Sequence, residues 1–216
     1  MAHLLVIGAS QGIGLETVKA ALAAGHRVRA FARSAGDIAL SDPNLERFPG
    51  DATSAPDVAG ALGGIDAVVQ ALGVPVRDLL GPVRLFSNAT NVLVPAMEAA
   101  GVRRLIAVTG FGTGDSREAI GPLQRLPFRL VFGRAYDDKD AQEMRIRRSS
   151  LDWTFVRPGV LTGGPATGRY RVLDRPSSWT NGLIARADVA QFIVRDLESR
   201  DHVGRAVVLI SHALPL

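Results

Sequence analysis

The 216-residue sequence predicts an α/β fold: a doubly wound parallel sheet with helices on both faces, three layers forming one domain. Two observations predict it. Short apolar runs alternate with helical stretches from one end of the chain to the other, as successive β-α-β units require. A glycine-rich turn, Gly8-Ala9-Ser10-Gln11-Gly12-Ile13-Gly14, follows the first run and opens the first helix.

The elements follow in order. His3 to Ile7 is a buried strand, and Ile13 to Ala24 a helix closed by Gly25. Arg27 to Ala32 and Glu46 to Phe48 are the next strands. Pro56 to Leu62 is a short helix capped by Ser54 or Thr53. Ala67 to Ala71 is a strand, Leu85 to Ala100 a long amphipathic helix ending at Gly101, and Arg104 to Thr109 the fifth strand. Asp137 to Ser149 is a helix, Trp153 to Val156 a strand stopped by Pro158, Ala187 to Glu198 a helix, and Ala206 to Ile210 the last strand. Two segments break the rhythm, 111–134 and 157–183. Both follow strand C-termini, where open α/β sheets bind ligands, and are expected to be substrate-side loops.

Composition narrows the function classes. With no cysteine, disulfides, thiolate zinc sites and cysteine nucleophiles are excluded. The four histidines, His3, His26, His202 and His212, show no metal-ligand spacing, so no metal is expected. The formal charge is +4, the basic residues are scattered and only 6% of residues are aromatic. A nucleic-acid surface would show a basic stripe with interleaved aromatics, so no nucleic-acid partner is expected. The opening residues carry no basic leader, and their apolar run ends at Gly8. That run is too short for a signal-peptide core or a membrane span. The expectation is a cytoplasmic protein with a small-molecule substrate and no membrane partner. The oligomeric state is left open.

The glycine turn carries the first chemistry. Gly8 lets the chain leave the strand sharply, Gly12 lets backbone approach a pyrophosphate, and Gly14 lets the helix pack close to the sheet. This is the Rossmann arrangement, in which the phosphates lie on free N–H groups at the helix N-terminus. Ser10 and Gln11 are placed to add side-chain or backbone donors. About twenty residues on, a protein specific for NAD places an acid against the ribose hydroxyls. Here the second strand ends Phe31-Ala32-Arg33-Ser34. An arginine and a serine suit a 2′-phosphate, which an acid would repel, so NADP(H) is preferred over NAD(H). Asp51-Ala52 can hold the adenine edge, and Asp51 equally suits a turn or helix cap. Leu72-Gly73 would lie against the ribose and diphosphate.

Further stretches are Gly50-Asp51-Ala52, Leu105 to Gly110, Asp152-Trp153-Thr154-Phe155-Val156-Arg157-Pro158-Gly159 and Arg186-Ala187-Asp188-Val189-Ala190. With the glycine turn, they make the chain resemble the atypical short-chain dehydrogenase/reductase superfamily, in particular its compact NAD(P)H-binding members. These include the NmrA-like and biliverdin/flavin reductase-like proteins. The resemblance implies a cofactor site on the residues already named, with Lys139 at the ribose and Pro158, Gly159 and Val160 beside the nicotinamide. It also implies a serine, a tyrosine and a lysine, the last two spaced Y-x-x-x-K on one helix face. Lys139 falls in the lysine's place, with Glu143 four residues later. The tyrosine's place is Ala135, and Tyr136 stands one residue out of register, still within reach of the same face. Thr109 replaces the serine. Arg157 is read as a brace for its turn, and Asp188 as a structural partner at a helix start.

These features lead to the expectation of an NADPH-dependent reductase acting on a small planar or hydrophobic acceptor, such as a flavin, quinone or carbonyl compound. The alternative is a non-catalytic NADP(H) sensor of the NmrA-like kind.

Overall fold

The computed structural model describes residues 1–75, 81–119 and 122–213. Its strands are β1 (His3–Ile7), β2 (Arg27–Ala32), β3 (Leu45–Pro49), β4 (Ala67–Gln70), β5 (Arg104–Val108) and β6 (Asp152–Pro158). There follow β7 (Val160–Thr162), β8 (Arg171–Leu173), β9 (Gly182–Ala185), β10 (Arg205–Ile210) and β11 (His212–Ala213). The helices are α1 (Gly12–Ala23), α2 (Ala55–Ala61), α3 (Leu85–Ala100), α4 (Pro122–Arg147) and α5 (Arg186–Ser199).

Eight strands form the main sheet in the order β3-β2-β1-β4-β5-β6-β10-β8. All neighbours run parallel except β8, which pairs antiparallel with β10. The order reverses between β1 and β4, and a crevice opens there beyond the strand C-termini.

Period-two alternation sorts the side chains of each strand between two cores. Leu4 and Val6 of β1 join Val18 and Ala21 of α1 and Val189 and Ile193 of α5. Leu5 and Ile7 face the other way, onto Leu62 at the end of α2 and Leu93 and Met97 of α3. Each such side chain, fully withdrawn from water, contributes about 1.5–3 kcal/mol, which is why β1 is apolar from Leu4 to Ile7. Helix ends follow local chemistry. Ser54 accepts from the Asp57 amide at 3.4 Å to start α2. Gly101 takes the left-handed backbone (φ +71°) that closes α3.

The structure corrects the sequence reading in three places. The expected loop 111–134 is helical from Pro122 onward, so α4 starts well before Asp137. Its described part begins at Pro122, and a helix tolerates proline in its first turn. Pro158 ends β6 inside the sheet, opposite Leu209, and its carbonyl accepts from Phe111 at 2.9 Å. A proline at a strand terminus forfeits no ladder bond that the sheet needs. The segment 157–183 holds β7, β8 and part of β9, and β11-β9-β7 form a second, three-stranded sheet.

Candidate functional site

A cleft of about 1340 Å³ runs along the crevice. Its walls include Gly8, Ser10, Gln11, Gly12 and Ile13 from the β1–α1 turn, Arg33 and Ser34 after β2, and Asp51 and Ala52 after β3. Leu72 and Gly73 after β4, Thr109, Tyr136, Lys139 and Pro158 continue it. Of the residues the sequence pointed to, Gly159 and Val160 stand apart. Gly159 packs against the backbone of Gly182 so closely that no side chain fits, and Val160 is 49% exposed.

The β1–α1 turn depends on backbone that side chains would obstruct. Gly8 has φ +86°, and a Cβ there would stand 2.6 Å from the Ala71 carbonyl oxygen. A Cβ on Gly14 would overlap the Gly8 carbonyl. Gly12 also has positive φ, +60°, but the space around it is open. Gln11, at the N-cap, makes no side-chain capping bond, and α1 has no acid in its first turn. The first amides of α1 are therefore free of side-chain caps and face the cleft, as a diphosphate requires.

Arg33 is exposed at the rim and makes no hydrogen bond or ion pair among the described residues. Asp51 fills the turn role. It lines the cleft, and its Oδ1 accepts from the Thr53 amide and hydroxyl, both at 2.8 Å. Those two bonds, with the nearby Arg33 charge, hold its carboxyl below the usual range.

At the other end, α4 brings Tyr136 and Lys139 to the same wall, with Ala135 buried beside them. The Lys139 ammonium donates to the Thr109 carbonyl and lies 4.7 Å from the centre of the Phe86 ring. Burial pulls its pKa down to about 8. Burial pushes the Tyr136 phenol up to about 12, and its hydroxyl packs over Gly110. The Thr109 hydroxyl donates to Glu143 at 2.8 Å. Glu143 in turn is held by Arg157, whose Nη1 reaches Asp115 at 2.6 Å.

Sequence reasoning placed Arg157 as a brace, and it braces more than its own turn. It ties β6 to α4 and to the segment after β5. Asp188 is indeed structural, but it accepts from Thr167 and Gly168 and so ties the loop before β8 to α5. Missed altogether were Phe86 and Arg186 at the cleft. Arg186 opens the same "RADVA" stretch in which only Asp188 had drawn notice.

The uncapped helix start, the glycine turn and the crevice at the strand reversal define a Rossmann protein that binds a nicotinamide dinucleotide. Comparison with known proteins gives its family. The chain belongs to the NAD(P)H-binding family, whose model matches residues 8–200. Among solved structures it is similar to ChuY, an anaerobilin reductase of Escherichia coli O157:H7 (28% identity, 99% of each chain, TM-score 0.80). A short-chain dehydrogenase/reductase of Veillonella parvula, solved with NADP, shares the fold at 15% identity and TM-score 0.82, over 97% of this chain and 94% of that one. An uncharacterised chloroplastic protein of Arabidopsis thaliana is 28% identical over 97% of this chain and 77% of its own length. No described helix is long and apolar enough to cross a membrane.

Proposed function

We propose that the protein is an NADPH-dependent reductase of a small planar or hydrophobic acceptor, a flavin, quinone or carbonyl compound. The observation that carries this reading is the single cleft joining the dinucleotide wall to Thr109, Tyr136 and Lys139. At about 1340 Å³ it exceeds the range of roughly 300–1,000 Å³ usual for one small ligand, which leaves space for an acceptor beside a dinucleotide. ChuY, similar along its whole length, is described as a reductase of anaerobilin.

The residues divide the work as follows. The α1 amides hold the diphosphate, and Arg33 with Ser34 takes the 2′-phosphate, which selects NADPH over NADH. When bound, NADPH supplies the hydride. Reduction also takes up one proton, and Lys139 is suited to give it. The Thr109 proton is committed to Glu143, and the Tyr136 phenol holds its proton to about pH 12. The Lys139 ammonium, with a pKa near 8, can release a proton close to neutral pH. Position and electrostatics supply the rest of the catalysis.

The sensor reading draws on the same arrangement, since no tyrosine stands in the family's register at Ala135. Nicotinamide absorbance decides between the two. Purified protein is mixed with NADPH and challenged with flavins, quinones and aldehydes. Oxidation of NADPH by any of them, lost in Lys139→Met, is the expected result. Tight NADPH binding with no acceptor reduced would overturn the reductase and leave the sensor.

A further inference from the structure

We propose that Arg186 anchors an anionic group, a carboxylate or a phosphate, carried by the acceptor at the end of the cleft formed by Leu161, Gly163 and Gly164. The inference rests on the reductase reading and names the class of acceptor.

Arg186 is the first residue of α5 and is only partly exposed. One of its nitrogens, Nη1, is pinned by the Thr162 carbonyl at 3.1 Å, which aims the guanidinium at the cleft it lines. No carboxylate among the described residues pairs with it. The buried arginines are treated differently. Arg104 has Asp196 at 2.7 Å, and Arg157 has both Glu143 and Asp115 at 2.6 Å. Asp188, two residues along α5, is not a counter-ion either. Its two oxygens are taken by the Thr167 amide at 2.7 Å, the Gly168 amide at 2.8 Å and the Thr167 hydroxyl at 2.9 Å.

A partly sheltered guanidinium held in place by a carbonyl still has donors to satisfy, and here the open side is the cleft. A guanidinium offers five N–H donors in a planar fork that matches a carboxylate or phosphate, and most of them remain for a ligand. The wall beside it is apolar and open. Leu161 and Pro158 flank the space, and a Cβ at Gly163 or Gly164 would touch nothing. Such a slot takes a flat apolar body with one acidic substituent. The cofactor's own phosphates have other partners, the α1 amides and Arg33.

The bonds between Asp188 and the 167–168 backbone hold the loop after Gly164 against the helix that carries Arg186. The slot is thereby built as one piece, with wall and anchor on the same support.

The test is equilibrium binding to NADP+-saturated protein, which needs no turnover. One probe pair is FMN against riboflavin, read by flavin fluorescence, and reports a phosphate. The other is anthraquinone-2-carboxylate against its methyl ester, read by absorbance, and reports a carboxylate. Wild type is expected to favour the anionic member of at least one pair by about tenfold, the worth of a charge-assisted pair. Which pair shows the preference identifies the group. Arg186→Gln should erase the preference and Arg186→Lys keep part of it, with the NADPH Kd within about twofold of wild type. Absence of any preference in wild type overturns the proposal, as does equal weakening of both members in Arg186→Gln. A raised NADPH Kd with acceptor binding intact also overturns it, by assigning the guanidinium to the cofactor. Failure of the reductase reading looks different: the preferences appear, but NADPH is never oxidised.

Discussion

The Arg157 guanidinium grips the Glu143 carboxylate through two nitrogens, Nε to Oε1 at 3.0 Å and Nη2 to Oε2 at 2.6 Å, with both side chains closed to water. The same Oε1 receives the Thr109 hydroxyl at 2.8 Å. An ion pair between β6 and α4 therefore decides which way a cleft-lining hydroxyl points. Thr109 can accept from a ligand, but its own proton is spent.

Breaking that pair is costly because it strands a buried charge. Arg157→Ala should lower the unfolding free energy by about 3–5 kcal/mol, measured by urea denaturation. The double variant Arg157→Met/Glu143→Leu should recover much of the loss, since it removes both charges together. A loss below about 1 kcal/mol in the single variant would mean that the pair is solvated in solution.

Lys139 makes stability depend on pH. The unfolded chain keeps this proton to the ordinary value of 10.5, whereas burial brings the native group to about 8. The unfolded state thus binds more protons between those values, and wild-type stability gains with rising pH across that window. The burden on the native state is complete below about pH 8 and disappears above the ordinary value. Asp138 and Glu143, the neighbouring acids, oppose the shift without cancelling it. Comparing Tm with Lys139→Met cancels the titration of other groups. The wild type should gain on the variant between about pH 7.5 and 10, a window running from just below the native value to just below the ordinary one. A constant difference would place Lys139 in ordinary solvent.

Arg33 is exposed and has no ion-pair partner among the described residues, so replacing it disturbs little but the ligand. Arg33→Asp should raise the Kd for NADPH by tenfold or more, about 1.4 kcal/mol, while NADH changes little. Nicotinamide fluorescence titration reads both. Equal losses would show that Arg33 does not contact the 2′-phosphate.

The glycines of the β1–α1 turn should separate folding from binding. A methyl on Gly14 collides with the Gly8 carbonyl, so Gly14→Ala should unfold the protein at markedly lower temperature. Gly12 faces open space, and Gly12→Ala should cost only the roughly 1–2 kcal/mol of a left-handed backbone. Its Kd for NADPH should nonetheless rise, because the methyl stands where the diphosphate approaches. Calorimetry with and without NADPH distinguishes the two. If both variants lost the same stability, the difference in crowding would be without consequence.

Local chemistry made much of the molecule legible in the sequence. The parallel, doubly wound sheet could be anticipated because alternation of β and α elements admits few topologies. The β1–α1 turn, the end of α3 at Gly101 and the Ser54 cap followed from the backbone needs of single residues. Lys139 came from the family resemblance, as the residue in the lysine's place of the Y-x-x-x-K pattern, with Glu143 four residues later. The early part of α4 was hidden, because a stretch holding glycine, proline and arginine reads as a loop, yet it is helical from Pro122 onward among the described residues.

The sequence by itself determined a doubly wound α/β fold with an NAD(P)H-binding turn, since periodicity and glycine spacing act within a few residues. Only the tertiary structure decided what the charged residues do. Glu143 and Arg157 are 14 residues apart, Arg157 and Asp115 are 42, and Asp188 reaches back 21 to Thr167. A carboxylate or guanidinium has no fixed role in the chain. It becomes a brace where a buried partner meets it, as at Arg157, and stays open to a ligand where no described carboxylate does, which is the role proposed for Arg33 and Arg186. Those meetings depend on which strands and helices cross, and no local pattern records them.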